Sequence, residues 1–214
     1  MLTAAQVQEF LGKASGLRWE ALYHVFFYTG LRPGEAFGLK WSDIDLTHRV
    51  LHVQRAVTWG EGRDVVLDLP KTSRSRRSIP LSLPILDVLE GHRERTQGLP
   101  NPDNLVFAKL DGGTIHPENW SKSQFKRLLK DVDAPEGFRL YDTRHTCATL
   151  MLKAHVHPAM AAERLGHKSV MQTLDTYSHV LPTMQDAVSD TMTDLIYGNG
   201  DGKESAGGDD VTDS

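Results

Sequence analysis

At 214 residues, 39% hydrophobic and 24% charged, the chain has the length and composition of one well-buried globular domain rather than a disordered or fibrous protein. No apolar run approaches the roughly 20 residues of a membrane span, Met1 to Ala5 has neither the charged nor the apolar region of a signal peptide, and one cysteine, Cys147, cannot form an internal disulfide, so a reducing cytoplasm is the expected compartment. The net charge of -4 argues against a nucleic-acid partner until it is located: Asp201, Glu204, Asp209, Asp210 and Asp213 against Lys203 put all of it in 198–214, a tail of disordered composition, and leave 1–197 near neutral.

Thr3 is the expected N-cap of a helix reaching Ala14, with Val7, Phe10 and Leu11 on one face. Leu17 to Thr29 is apolar on several sides and predicts a buried helix closed by Gly30. Pro33 suits the first turn of a short helix to Leu39, which puts Arg32 at a helix start beside free backbone N–H groups that favour an anion. Glu35, three residues on, either holds the Arg32 guanidinium in place or is one half of a surface pair of little consequence.

From Arg49 to Pro80 the period changes to two, predicting strands over 49–55, 65–69 and 77–81 with a turn at Gly60-Glu61-Gly62. The loop before the last strand holds Lys71, Arg74, Arg76 and Arg77, four basic residues in seven with no acid. Helices follow over 83–95 and 117–131, and the second carries Lys122, Lys126, Arg127 and Lys130 at helical spacing, a face for either solvent or DNA. Tyr141 and Arg144 start a helix that runs to Lys153 and buries Ala148, Leu150, Met151 and Leu152. His155 and His157 have no further ligand set at metal-binding spacing and read as a loop. Pro158 to Leu165 predicts a short helix capped by Gly166, so that His167 projects beyond it. Pro182 opens a last helix with Met184, Ala187, Val188, Met192 and Leu195 on one stripe.

Five pieces, Thr29-Gly30-Leu31-Arg32-Pro33-Gly34-Glu35, Lys71 to Arg77, Tyr141-Asp142-Thr143-Arg144-His145-Thr146, Leu165-Gly166-His167 and Tyr177, stand in the order and at the approximate spacing of the tyrosine recombinase (phage integrase) catalytic domain. The chain resembles that family from about Leu2 to Val180. The resemblance implies an α+β, mainly helical fold with a small antiparallel three-stranded sheet over 1–197, and a core-binding domain N-terminal to the catalytic domain that is absent from this chain.

The resemblance also implies roles. Tyr177 attacks a scissile DNA phosphate, giving a 3'-phosphotyrosyl link and a 5'-hydroxyl, with no metal or other cofactor. Arg32 and Arg144 bind the non-bridging oxygens bidentately, His167 and Tyr141 add hydrogen bonds, and Lys71 protonates the leaving oxygen. Glu35 and His145 support them, and Arg74, Arg76, Arg77, Lys122 and Lys126 contact backbone phosphates. Tyr141 departs from the family's usual histidine; a phenol donates a hydrogen bond but cannot carry an imidazolium's charge. The family has glycine where His155 stands, so strain is expected at that corner. The implied partners are double-stranded DNA at a specific site, further copies of the chain docked through the C-terminal helix, and accessory DNA-bending proteins, with no membrane. A type IB topoisomerase-like enzyme and a non-catalytic DNA-binding module are the alternatives.

Overall fold

The computed structural model describes residues 1–59, 65–68, 76–177 and 182–198. The chain divides into two compact units, Met1–Ser178 and His179–Ser214. In the first, α1 (Ala4–Ala14) starts from a capping box in which Thr3 Oγ1 accepts from the Gln6 N–H at 3.2 Å and Gln6 Oε1 accepts from the Thr3 N–H at 2.8 Å. Its face of Val7, Phe10 and Ala14 is buried against α2 (Glu20–Thr29), which is enclosed along most of its length. Aromatic edges knit this centre: Phe10 meets Tyr23 at 5.2 Å, and Trp120 meets both Tyr23 and Phe37 at 5.4 Å. Each such pair adds about 0.5–1.5 kcal/mol beyond its area burial.

Gly30 ends α2 in the left-handed region, at φ 66°, and a Cβ there would stand 2.6 Å from Leu165 Cδ2. The absent side chain therefore lets the end of α2 lie directly on the chain around Leu165. Next, α3 (Pro33–Phe37) has Pro33 at its first position and Glu35 accepting the Arg32 N–H at 2.9 Å. A carboxylate in the first turn also complements the helix dipole.

A 3-10 turn, Trp41–Asp43, leads into β1 (Ile44–Asp45), β2 (Val50–Val53), β3 (Ala56–Trp59), β4 (Val65–Asp68) and β5 (Arg77–Pro80). The sheet is three-stranded and antiparallel, but its order is β1-β2-β5, while β3 and β4 pair separately as two strands. The expected three strands are thus divided between two sheets. The two-residue strand β1 escapes a period-two reading because two residues show no alternation. Register matters for the site: Leu51 faces Ile79 and Val53 faces Arg77 across β2 and β5. Opposed residues share a face, and Leu51, Val53 and Ile79 are all buried, so Arg77 occupies a core-facing position.

Helix α4 (Leu83–Arg95) packs on α2. The expected helix over 117–131 is α5 (Pro117–Trp120), a π-helical turn (Ser121–Phe125) and α6 (Lys126–Leu129). Arg127 lines a different cavity from Lys122 and Lys126. In α7 (Asp142–Lys153) the buried side is Thr143, Arg144, Thr146, Cys147, Ala148, Thr149 and Leu152, while Leu150 and Met151 are only half-buried. His155 then takes φ 58°, the left-handed conformation that glycine adopts without cost, as the expected strain at this corner requires. His157 caps α8 (Pro158–Leu165), its Nδ1 accepting the Ala159 N–H at 3.2 Å, which accounts for the second histidine without a metal. After α9 (Val170–Tyr177) the first unit ends. The second unit contains α10 (Pro182–Tyr197), with Val188, Met192, Leu195, Ile196 and Tyr197 exposed. No helix among the described residues is long and apolar enough to cross a membrane.

Candidate active site

The site is built on the C-terminal end of α8. Gly166, at φ 66°, closes that helix in a Schellman motif: the His167 N–H reaches the Ala162 carbonyl at 2.9 Å and the Gly166 N–H reaches Glu163 at 3.0 Å. The next three carbonyls each accept from a different arginine. Arg164 O accepts from Arg77 Nε at 2.7 Å, Leu165 O from Arg144 Nη2 at 2.7 Å, and Gly166 O from Arg32 Nη2 at 3.4 Å. Carbonyls at a helix C-terminus carry its partial negative charge, so guanidiniums belong there.

One carboxylate joins two of these cations, Arg32 and Arg77. Glu35 Oε1 accepts from Arg32 Nη1 at 2.8 Å and from Arg77 Nη1 at 3.1 Å, and Oε2 accepts from Arg77 Nη2 at 2.9 Å. Both Glu35 and Arg77 are nearly enclosed, with side-chain exposures of 6% and 5%. Burial alone would raise the Glu35 carboxyl, but the hydrogen bonds and charges of Arg77 and Arg32 outweigh it and hold the group below its usual range. Three guanidiniums around one carboxylate leave an excess of positive charge in a partly desolvated place, which suits an incoming anion.

Arg144 is the most buried of these cations at 1% exposure, and its second terminal nitrogen donates to Gly30 O at 2.8 Å. One guanidinium therefore ties the ends of α2 and α8 together. Burial, then the neighbouring Arg32, lowers its pKa to about 10, which still leaves it charged at neutral pH. The expected bidentate forks of Arg32 and Arg144 meet different neighbours here: both terminal nitrogens of each arginine already donate to protein oxygens. Helix ends need donors, and these arginines supply them.

His167 is half-buried beside this cluster, and its Nδ1 lies 2.7 Å from Thr173 Oγ1. Burial first, then the charges of Arg144, Arg32 and Arg77, pushes its pKa down to about 4. In the free chain the ring is therefore neutral at neutral pH. Tyr141 is 40% exposed, lies edge-on to His145 at 5.3 Å, and lines a groove of about 520 Å³ with Pro33, Lys122, Lys126 and Arg139. Burial lowers the pKa of His145. Cys147 is buried and its thiol is raised to about 11, so it is inert.

The expected site residues therefore fall into three groups. Arg32, Glu35, Arg144 and His167 come together, with His145 on the same helix as Arg144 and Tyr141 at the N-cap of that helix. Lys122 and Lys126 are exposed along the groove, and Arg76 is exposed just before β5. Lys71 and Arg74 lie outside the described residues, and of Tyr177 the backbone alone is described, as the last residue of α9. Arg77 departs from its expected phosphate contact: its guanidinium faces inward to Glu35 and Arg164 O. The alternation Arg77-Ser78-Ile79 carried the signal, since a residue two before a core isoleucine in a strand shares its face. Thr173 and the α8 carbonyls were missed altogether.

A sequence model described as the phage integrase family matches residues 1–184. The ICEBs1 integrase of Bacillus subtilis strain 168 is 33% identical over 187 residues, covering 84% of this chain and 50% of that protein. A XerC-like tyrosine recombinase of Caldanaerobacter subterraneus subsp. tengcongensis is 31% identical over 199 residues, covering 85% and 50%. The chain thus spans about half the length of the curated relatives it matches. Among solved structures, the Tn1549 transposon integrase in complex with circular intermediate DNA shares the fold, with TM-score 0.79 at 24% identity over 89% of this chain and 66% of that one.

Proposed function

Because the chain belongs to the phage integrase family, we propose that it cleaves and rejoins DNA in site-specific recombination, through a 3'-phosphotyrosyl intermediate. The observation that carries this reading is the cluster of Arg32, Arg77 and Arg144 on the last carbonyls of α8, one short turn before the helix that ends in Tyr177.

In this reading the Tyr177 phenolic oxygen attacks the scissile phosphorus and the bond to the 5' oxygen breaks. Lys71 gives the departing oxygen its proton while the phenol releases its own to solvent, from which the lysine is reprotonated, so a 5'-hydroxyl leaves and the ester's free energy is kept in the phosphotyrosyl bond. Arg32 meets the non-bridging oxygens and Arg144, behind it, supplies fixed charge from within the fold. His167, as a neutral ring, and Tyr141 donate hydrogen bonds. Attack by a 5'-hydroxyl of another strand runs the step in reverse and exchanges strands without ATP.

Duplex DNA is the substrate that this chemistry calls for, and the names of the relatives and of the transposon integrase complexed with DNA support it. Arg76, Lys122 and Lys126, with the groove beside Tyr141, provide the flanking phosphate contacts. Further copies of the chain assemble on the DNA, and the exposed apolar residues of α10 suit docking between copies.

Nicked suicide duplexes that trap the intermediate test the proposal, run in EDTA on its own site with the full-length protein. An SDS-resistant adduct is expected with the parent and none with Tyr177→Phe. An adduct that persists in Tyr177→Phe would remove Tyr177 as nucleophile; none from the parent would leave a binding module. Exchanged strands rather than relaxed circles separate the recombinase from a topoisomerase.

A further inference from the structure

We propose that Thr173 is a positioning residue, whose hydroxyl donates to His167 Nδ1 and so fixes the imidazole as the Nε2–H tautomer. The consequence for strand transfer rests on the cleavage reading above; the hydrogen bond itself does not. Thr173 is fully buried, at 0% exposure, and its Oγ1 stands 2.7 Å from His167 Nδ1.

A neutral imidazole has one N–H, and the hydrogen bond at one nitrogen decides where it sits. A carbonyl or carboxylate facing Nδ1 would accept only, force the proton onto Nδ1, and leave Nε2 with a lone pair that repels an anion. A hydroxyl both donates and accepts, so Thr173 permits the Nε2–H form that an acceptor-only group would forbid, and an anion facing Nε2 selects it. With Nδ1 engaged, Nε2 is the nitrogen left to meet a ligand oxygen. Burial first, and then the surrounding Arg144, Arg32 and Arg77, disfavour a second proton on the ring, so the tautomer of the neutral form matters.

The placement in the chain adds a coupling. Thr173 lies on α9 four residues, about one turn, before Tyr177. The helix that carries the nucleophile thereby also orients the ring that meets the phosphate. When α9 is seated, both groups are set together; when it is displaced, His167 loses its donor.

Nitrogen NMR of the histidine rings in the full chain at pH 7 reads the tautomer directly, with His167 assigned by its loss in His167→Asn. The parent is expected to show the Nε2–H form, Thr173→Ser to keep it, and Thr173→Val, which preserves the shape without the hydroxyl, to lose it. In the suicide-substrate assay Thr173→Val should form adduct roughly tenfold more slowly, as when one hydrogen bond that orients a reacting group is lost, with Thr173→Ser close to the parent. An Nδ1–H ring in the parent, or an unchanged ring in Thr173→Val, would overturn the proposal. An altered ring with an unaltered adduct rate would overturn its catalytic consequence. The expected tautomers with no adduct from the parent would support Thr173's role and refute the cleavage reading instead.

Discussion

Glu35→Ala is expected to destabilise the folded chain by about 3–5 kcal/mol, the usual consequence of removing one partner from a buried ion pair. The side chain accepts from both terminal nitrogens of Arg77, from Arg32 Nη1 and from the Arg32 N–H. Without it, Arg77 at 5% side-chain exposure faces Arg32 and Arg144 with no carboxylate between them. Glu35→Gln keeps the shape and an accepting oxygen but no charge, so its loss should be smaller. Urea unfolding of the three proteins measures this, and a Glu35→Ala protein as stable as the parent would refute the bridge.

The same pair fixes a pH dependence. The folded-state carboxyl lies below its ordinary value, so its contribution is complete above the unfolded carboxylate range and is lost as pH falls through the folded value. The parent should lose stability on acidification more steeply than Glu35→Gln, and parallel acid limbs would assign the acid sensitivity to other groups.

Arg144→Lys is expected to slow adduct formation by about 10²-fold, the effect of shifting the ends of α2 and α8, and the site groups they carry, by about 1 Å. A lysine keeps the charge but has one nitrogen where the guanidinium has a planar fork. Arg144 uses that fork to reach Gly30 O at the end of α2 and Leu165 O at the end of α8. A lysine that satisfies one carbonyl leaves the other buried without its donor, at about 1–3 kcal/mol. Stopped-flow capture with a melting curve on the same sample separates the two effects. Near-parental cleavage with a lowered melting temperature would make Arg144 a structural tie only.

Much of this was legible wherever one residue type has one structural use. Gly30 and Gly166 cap their helices, and Pro33 opens α3 beside Arg32. His155 was legible as a corner that glycine would relieve. The errors arose where a residue has two uses. A run of basic residues suggests a solvated loop, yet the strand register turns Arg77 inward, and the buried Glu35 is what makes that position tolerable. Basic-residue spacing suggested one helical face, but Arg127, one residue and about 100° beyond Lys126, lines a different cavity from Lys122 and Lys126. The holders of the cations could not be read at all, because they are main-chain oxygens, which every residue possesses.

Those oxygens impose a rule on the chain between Pro158 and Leu165. Exchanging the exposed side chains of Met160 or Glu163, so long as the helix persists, leaves the three carbonyls of residues 164–166 where the arginines need them, whereas Ala161, Ala162 and Leu165 are held by the core. Inserting or deleting a single residue would turn the helix end by about 100° and shift it by about 1.5 Å, carrying all three carbonyls off their cations at once. On its exposed face this segment is therefore free to drift in composition, while its length is fixed.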